Sequence, residues 1–147
     1  MMILQEWKAL RRSVHAEFYA DLEDTAKCGA FDGGCLVVAE ALHRNIGGDI
    51  VVLVNSENHA AHAAVLFDGK LWDYNGPMSP GQFIARFNRE EVWSIAWHTV
   101  GYRPIQDGDL ECAYRNEDLV DRLASKFKQM FLQNEHGEAY LASPSFR

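Results

Sequence analysis

The pair Asp68-Gly69 sets the strictest geometric demand in this chain. It separates His62-Ala63-Ala64-Val65-Leu66-Phe67 from Lys70-Leu71-Trp72-Asp73-Tyr74-Asn75. A two-residue Asp-Gly connection supplies the positive φ angles that a type I′ turn needs, so a β-hairpin is expected. Its register follows: Phe67 opposite Lys70, Ala64 opposite Asp73, His62 opposite Asn75. Side chains alternate across a sheet, which puts His62, Asp73 and Asn75 on one face, with Asp73 diagonal to His62. An imidazole and a carboxylate so placed can serve as a base and its orienter, with Asn75 the substitute if the register slips.

The stretch Phe31-Asp32-Gly33-Gly34-Cys35-Leu36-Val37-Val38-Ala39-Glu40-Ala41-Leu42 reads as a glycine-rich loop that delivers a cysteine to the start of an apolar helix. There a thiol meets the positive end of the helix dipole and the unpaired N–H groups of the first turn, which favour thiolate and can bind an oxyanion. A lone cysteine at such a place is usually a small buried hydrophobe. The downstream His62 and Asp73 are what raise Cys35 to a candidate nucleophile. Cys28, followed by Gly29, is a rival without an apolar helix behind it, and Cys112 reads as structural.

With 147 residues the chain is long enough to bury a core as a single domain without staples. Lys and Arg number 14 against 21 Asp and Glu, a net charge of -7, which argues against phosphate-backbone binding and therefore against a nucleic-acid partner. Three cysteines without framework spacing fit a reducing compartment. The start Met1-Met2-Ile3-Leu4-Gln5-Glu6-Trp7-Lys8 lacks the features of a signal peptide, and no stretch approaches the roughly 18 to 20 apolar residues of a membrane span. A cytoplasmic protein is expected, with signal-less secretion left open and no membrane partner.

Ile3, Leu4, Trp7, Leu10, Val14, Phe18 and Leu22 recur at helical spacing, predicting an amphipathic helix from Ile3 to about Ala20 and an irregular connection over Asp21–Ala30. The helix opened by Cys35 should run to about Asn45, stopped by Ile46-Gly47-Gly48-Asp49. Ile50–Val54 is a β-branched strand, and Asn55–His59 a polar turn. Ser79 as N-cap and Pro80 at the first helical position open a short helix through Phe87. Val92–His98 reads as another strand, Asn116–Gln133 as a last helix, and the polar tail from about Asn134 as loosely held. Trp72, Trp93 and Trp97 read as one core or cleft-wall cluster, while His15, His43, His98 and His136 have no partner spacing.

Cys at a helix start, His opening a strand, and Asp on the next strand with Asp-Gly-x-x-x-Asp between resemble the papain-like cysteine hydrolases, especially the NlpC/P60-type and transglutaminase-like branches. The resemblance covers about Phe31 to Gly76. It implies an α+β fold with a central Cys-bearing helix and flanking helices packed on an antiparallel sheet. It also implies Cys35 as nucleophile, His62 as general base and Asp73 as orienter, without a cofactor. No Gln stands a few residues before Cys35, so the oxyanion role falls to Asp32, the Cys35 N–H or the loop Thr25–Ala30.

Such a triad attacks an amide or thioester carbonyl and forms an acyl-enzyme that water or an amine resolves, so hydrolysis, deamidation and transfer share one intermediate. The expected partner is a peptide or protein amide substrate. His59 is the alternative base, placed in the polar turn. His59, His62, Cys28 and Cys35 would also supply four zinc ligands, although no C-x-x-C pair is present. A different class of function is a catalytically inactive papain-like domain that binds a protein partner as an adaptor or inhibitor.

Overall fold

The structure is a computed structural model that describes residues 4–31, 33–133 and 137–141. Its element order is α1 (Leu4–Ala26), α2 (Cys35–Ile46), β1 (Asp49–Asn55), β2 (Ala60–Phe67), β3 (Lys70–Asp73), β4 (Gly76–Met78), α3 (Pro80–Glu91), a 3-10 turn (Ile95–Trp97), β5 (Thr99–Pro104), α4 (Glu117–Gln133) and a 3-10 turn at Gly137–Tyr140. The five strands form one antiparallel sheet in the order β4-β3-β2-β1-β5. This is an α+β architecture. Among the described residues no helix is long and apolar enough to cross a membrane.

Strand alternation gives the sheet two buried faces. Ile50, Ala63, Val65 and Trp72 point to a layer made by α1, α2 and α4, whereas Val51, Leu53, Ala64, Leu71 and Met78 meet Phe83 and Phe87 of α3. Helix α2 is buried through Leu36, Val37, Val38, Ala39, Ala41 and Leu42, as its unbroken apolar run requires, and only the face carrying Glu40, His43 and Arg44 reaches solvent. Trp7 stands at the centre of the helical layer. Its ring packs on Trp72, Phe127 and Phe131 at 5.9, 5.8 and 5.8 Å, and its Nε1–H donates to the Tyr74 carbonyl at 2.9 Å.

The Asp68-Gly69 turn has the φ values a type I′ hairpin needs, 54° and 72°, and Phe67 pairs with Lys70 as expected. The ladder then runs only through Leu66–Leu71 to Val65–Trp72. Pairing of Ala64 with Asp73 and of His62 with Asn75 does not form. The Asn75 N–H donates to Asp73 Oδ1 at 2.8 Å and Gly76 takes φ 96°, so the chain turns into β4 before it could pair farther along β2.

Other expectations shift. Helix α1 continues to Ala26, absorbing much of the connection expected over Asp21–Ala30, because Leu22 prolongs the buried stripe of Trp7, Val14 and Phe18. Its last turns are tied to α4, where Lys126 bonds Glu17 and Arg122 bonds Thr25, both at 2.7 Å. Ser79 accepts the Gln82 N–H at 3.5 Å as N-cap of α3, which runs to Glu91 rather than Phe87. Val92–His98 is not a strand, and pairing with β1 falls to Thr99–Pro104. Asn88 decides this: its side chain accepts from the Thr99 N–H and Oγ1–H at 2.8 and 3.0 Å and donates to the Thr99 carbonyl at 2.9 Å.

Trp72 is buried while Trp93 and Trp97 are exposed, so the three tryptophans do not form one cluster. Cys112, expected to be structural, is exposed. Within the tail, Tyr140 packs on Phe67, Trp72 and Phe131; residues 134–136 and 142–147 lie outside the described residues.

Candidate active site

Three elements meet at one end of the sheet. The chain climbs out of α1 through a loop closed by the Gly34 N–H on the Gly29 carbonyl at 2.9 Å, while the Tyr114 N–H pins the Gly33 carbonyl at 3.0 Å. Gly34 has no alternative at its position, since a Cβ there would stand 2.6 Å from the Gly29 oxygen. As N-cap it also offers no side-chain acceptor, which leaves the first-turn N–H groups of α2 free of a capping side chain. Cys35 is the first residue of that turn and is buried.

His62 sits near the start of β2, opposite Leu53 of β1, on the sheet face that α3 covers. Its Nε2 lies 3.0 Å from Asp73 Oδ2, and Asp73 Oδ1 holds the Asn75 N–H, so both carboxylate oxygens are occupied and the carboxylate cannot swing away. His62 also bonds the Cys35 sulfur, for which Nδ1 is the ring nitrogen left over. Because the β2–β3 ladder ends at Val65, the strand beside Ala63 is open toward β3, and the Ala63 N–H donates to the Cys35 sulfur. Three polar side chains thus form a continuous chain, Cys35 to His62 to Asp73, exposed only to 8%, 1% and 5%.

Burial disfavours charge on both partners, pushing the Cys35 thiol up and the His62 imidazole down. Their mutual interaction opposes it. The His62 hydrogen bond and charge, followed by the Ala63 and Cys35 N–H groups, bring Cys35 below its ordinary value. The hydrogen bonds that the His62 ring donates to Asp73 and Cys35, and the charges of those two groups, push His62 up to about 9. Both shifts run toward the thiolate–imidazolium form of the pair, the reactive state of a nucleophilic cysteine.

The imidazole lies between aromatic rings: Phe31 at 5.3 Å and 14° to its plane, and Phe87 at 4.8 Å and 27°. Neither ring was singled out from the sequence. Phe87 could have been found from the spacing Phe83, Phe87 on one face of its helix, whereas Phe31 depends on how the loop closes. A cavity beside the triad is lined by Asp73, Phe31 and Phe87 together with Asn75, Arg86 and Glu91.

Asn75 does not reach His62; its Oδ1 accepts from Arg11 Nη1 at 2.6 Å, near the hydrogen bond of 2.6 Å between the Tyr74 hydroxyl and His15 Nδ1. That partner for His15 is long-range, 59 residues away in sequence, and has no local signature. Asp32 lies outside the described residues. Cys28 is half-buried, against Gly33 and away from an apolar helix start. His59 is exposed, with its N–H on Asn55 Oδ1 at 2.9 Å and its ring 6.1 Å from Trp97. Among the described residues no three His, Cys, Asp or Glu side chains are grouped so as to hold a metal ion. Comparison of the chain with models of protein families, with curated proteins and with solved structures finds no match.

Proposed function

We propose that the protein is a cysteine-dependent hydrolase or acyltransferase acting on an amide bond, with a core arranged as in the papain-like cysteine hydrolases. The observation that carries this reading is the buried hydrogen-bonded chain Cys35–His62–Asp73 at the start of α2. The Cys35 thiolate attacks the carbonyl carbon, and the first-turn N–H groups of α2 receive the oxyanion. The His62 imidazolium gives its proton to the departing amine as the C–N bond breaks, leaving a thioester on Cys35 and a neutral imidazole. His62 then takes a proton from water, or from an amine, whose attack breaks the C–S bond and restores the thiolate. Asp73 holds the imidazole in the orientation that serves both transfers.

The test is the pH dependence of iodoacetamide alkylation at Cys35, read by peptide mass spectrometry. In the native chain the rate should rise with a midpoint below the ordinary thiol range and change again as the imidazolium is lost at about 9. In His62→Ala the two transitions should merge into one at or above the ordinary thiol value, since burial then acts without a countercharge. A native Cys35 that titrates like Cys112 would sink the reading. The second reading, an inactive domain that binds a protein partner, is favoured by the exposure of Trp93, Ile95 and Trp97 at 97%, 85% and 48%, and it takes over if Cys35 is inert.

A further inference from the structure

A groove lies beside Phe31 and Phe87, the two rings stacked on the His62 imidazole. Its lining also includes Glu91, Trp93 and Trp97. Among the described residues the Glu91 carboxylate makes no ion pair or hydrogen bond; its neighbour Arg86 directs Nε to Glu90 Oε2 at 2.9 Å and keeps its buried Nη1 without a hydrogen-bond partner. Glu91 is also the last residue of α3, where the carbonyl ends of the helix add negative potential.

We infer that this groove binds the basic side chain, lysine or arginine, of the peptide or protein whose amide is attacked at Cys35. The inference rests on the acyl-transfer reading for the identity of the substrate, but the cation site stands on the groove alone. Indole faces are the best aromatic partners for a cation, and a carboxylate among them supplies the countercharge. A purely apolar occupant would instead desolvate Glu91 with nothing to pair it, a penalty that selects against such a ligand. Burial raises the Glu91 pKa, as do the carboxylates of Glu90 and Asp73, with His62 and Arg86 acting in the opposite sense; a bound cation relieves that burden.

The experiment compares N-acetyl-lysyl, norleucyl and glutamyl chloromethyl ketones. Each forms a C–S bond at Cys35 with loss of chloride, and each rate is divided by that of iodoacetamide in the same protein. The lysyl reagent should exceed its uncharged norleucyl counterpart about tenfold, and Glu91→Gln should bring the ratio to about 2 or less. A norleucyl rate equal to or above the lysyl rate in the native chain, or a lysyl preference that survives Glu91→Gln, overturns the inference. Because Cys35 inert to iodoacetamide would refute the acyl-transfer reading first, tryptophan fluorescence of Cys35→Ala is titrated with acetyl-Ala-Lys-Ala-amide and its norleucine analogue. Tighter binding of the lysine peptide, lost in Glu91→Gln, upholds the cation site without any chemistry at residue 35. Equal binding of the two peptides, or a fluorescence change that follows protein concentration alone, refutes it.

Discussion

At Cys35 two opposing effects meet, and the outcome depends on Asp73. Burial resists charge on both sulfur and imidazole, and the imidazolium beside the sulfur opposes that by favouring the thiolate. The imidazolium in turn is held by the Asp73 carboxylate at 3.0 Å. Asp73→Asn keeps the shape of the side chain and removes the charge, so the His62 transition at about 9 should move downward and the Cys35 transition upward. Each unit of that upward movement lowers the thiolate fraction about tenfold below the midpoint. The alkylation rate at neutral pH should therefore fall by about tenfold or more while the far-ultraviolet dichroism stays the same; an unchanged rate would remove Asp73 from the account. The turn type and strand alternation put His62 and Asp73 on one face of the hairpin, although the ladder expected to make them diagonal ends at Val65–Trp72. The sequence did not expose Phe31, Phe87 or Glu91, which reach the site through loop closure and through the packing of α3 on the opposite face.

Among the elements, β4 and β5 separate what local pattern can specify from what it cannot. Asp68-Gly69 specified its hairpin because only a few residues tolerate two successive positive φ values. Val92–His98 misled because it alternates bulky and small residues like a strand, whereas the strand start is fixed by Asn88, 11 residues away, through its three hydrogen bonds to Thr99. Asn88→Ala should cost about 2 kcal/mol and abolish protection of the Thr99 amide from hydrogen exchange, leaving the Leu53 amide protected. Gly76 marks the other edge. Its φ of 96° alone strains a residue with a Cβ, and a Cβ there would stand within 3 Å of the Trp7 ring, which is buried at the centre of the helical layer. Gly69, at φ 72°, has open space around its would-be Cβ. Gly69→Ala should therefore cost about 1 kcal/mol in urea unfolding and Gly76→Ala about 3 kcal/mol or more, the difference measuring the collision with Trp7.

For the whole molecule, the net charge of -7 and the local carboxylate at the groove predict the same preference for cationic reagents at Cys35 by different physics, and ionic strength separates them. The summed field acts over distances that salt screens, with a Debye length of about 10 Å at 0.1 M and about 3 Å at 1 M. A cation seated against Glu91 and the indoles is in contact and loses much less. Two methanethiosulfonates of similar size, one carrying a trimethylammonium and one a sulfonate, read both contributions when their rates at Cys35 are compared. At low salt the cationic reagent should lead by more than tenfold, and at 1 M salt a lead of about threefold to tenfold should persist. In Glu91→Gln the low-salt lead should shrink only in part, while the high-salt lead should vanish. A preference that disappears entirely with salt in the native chain would leave only the field of an acidic protein, and Glu91 would then be an ordinary surface carboxylate at the end of α3.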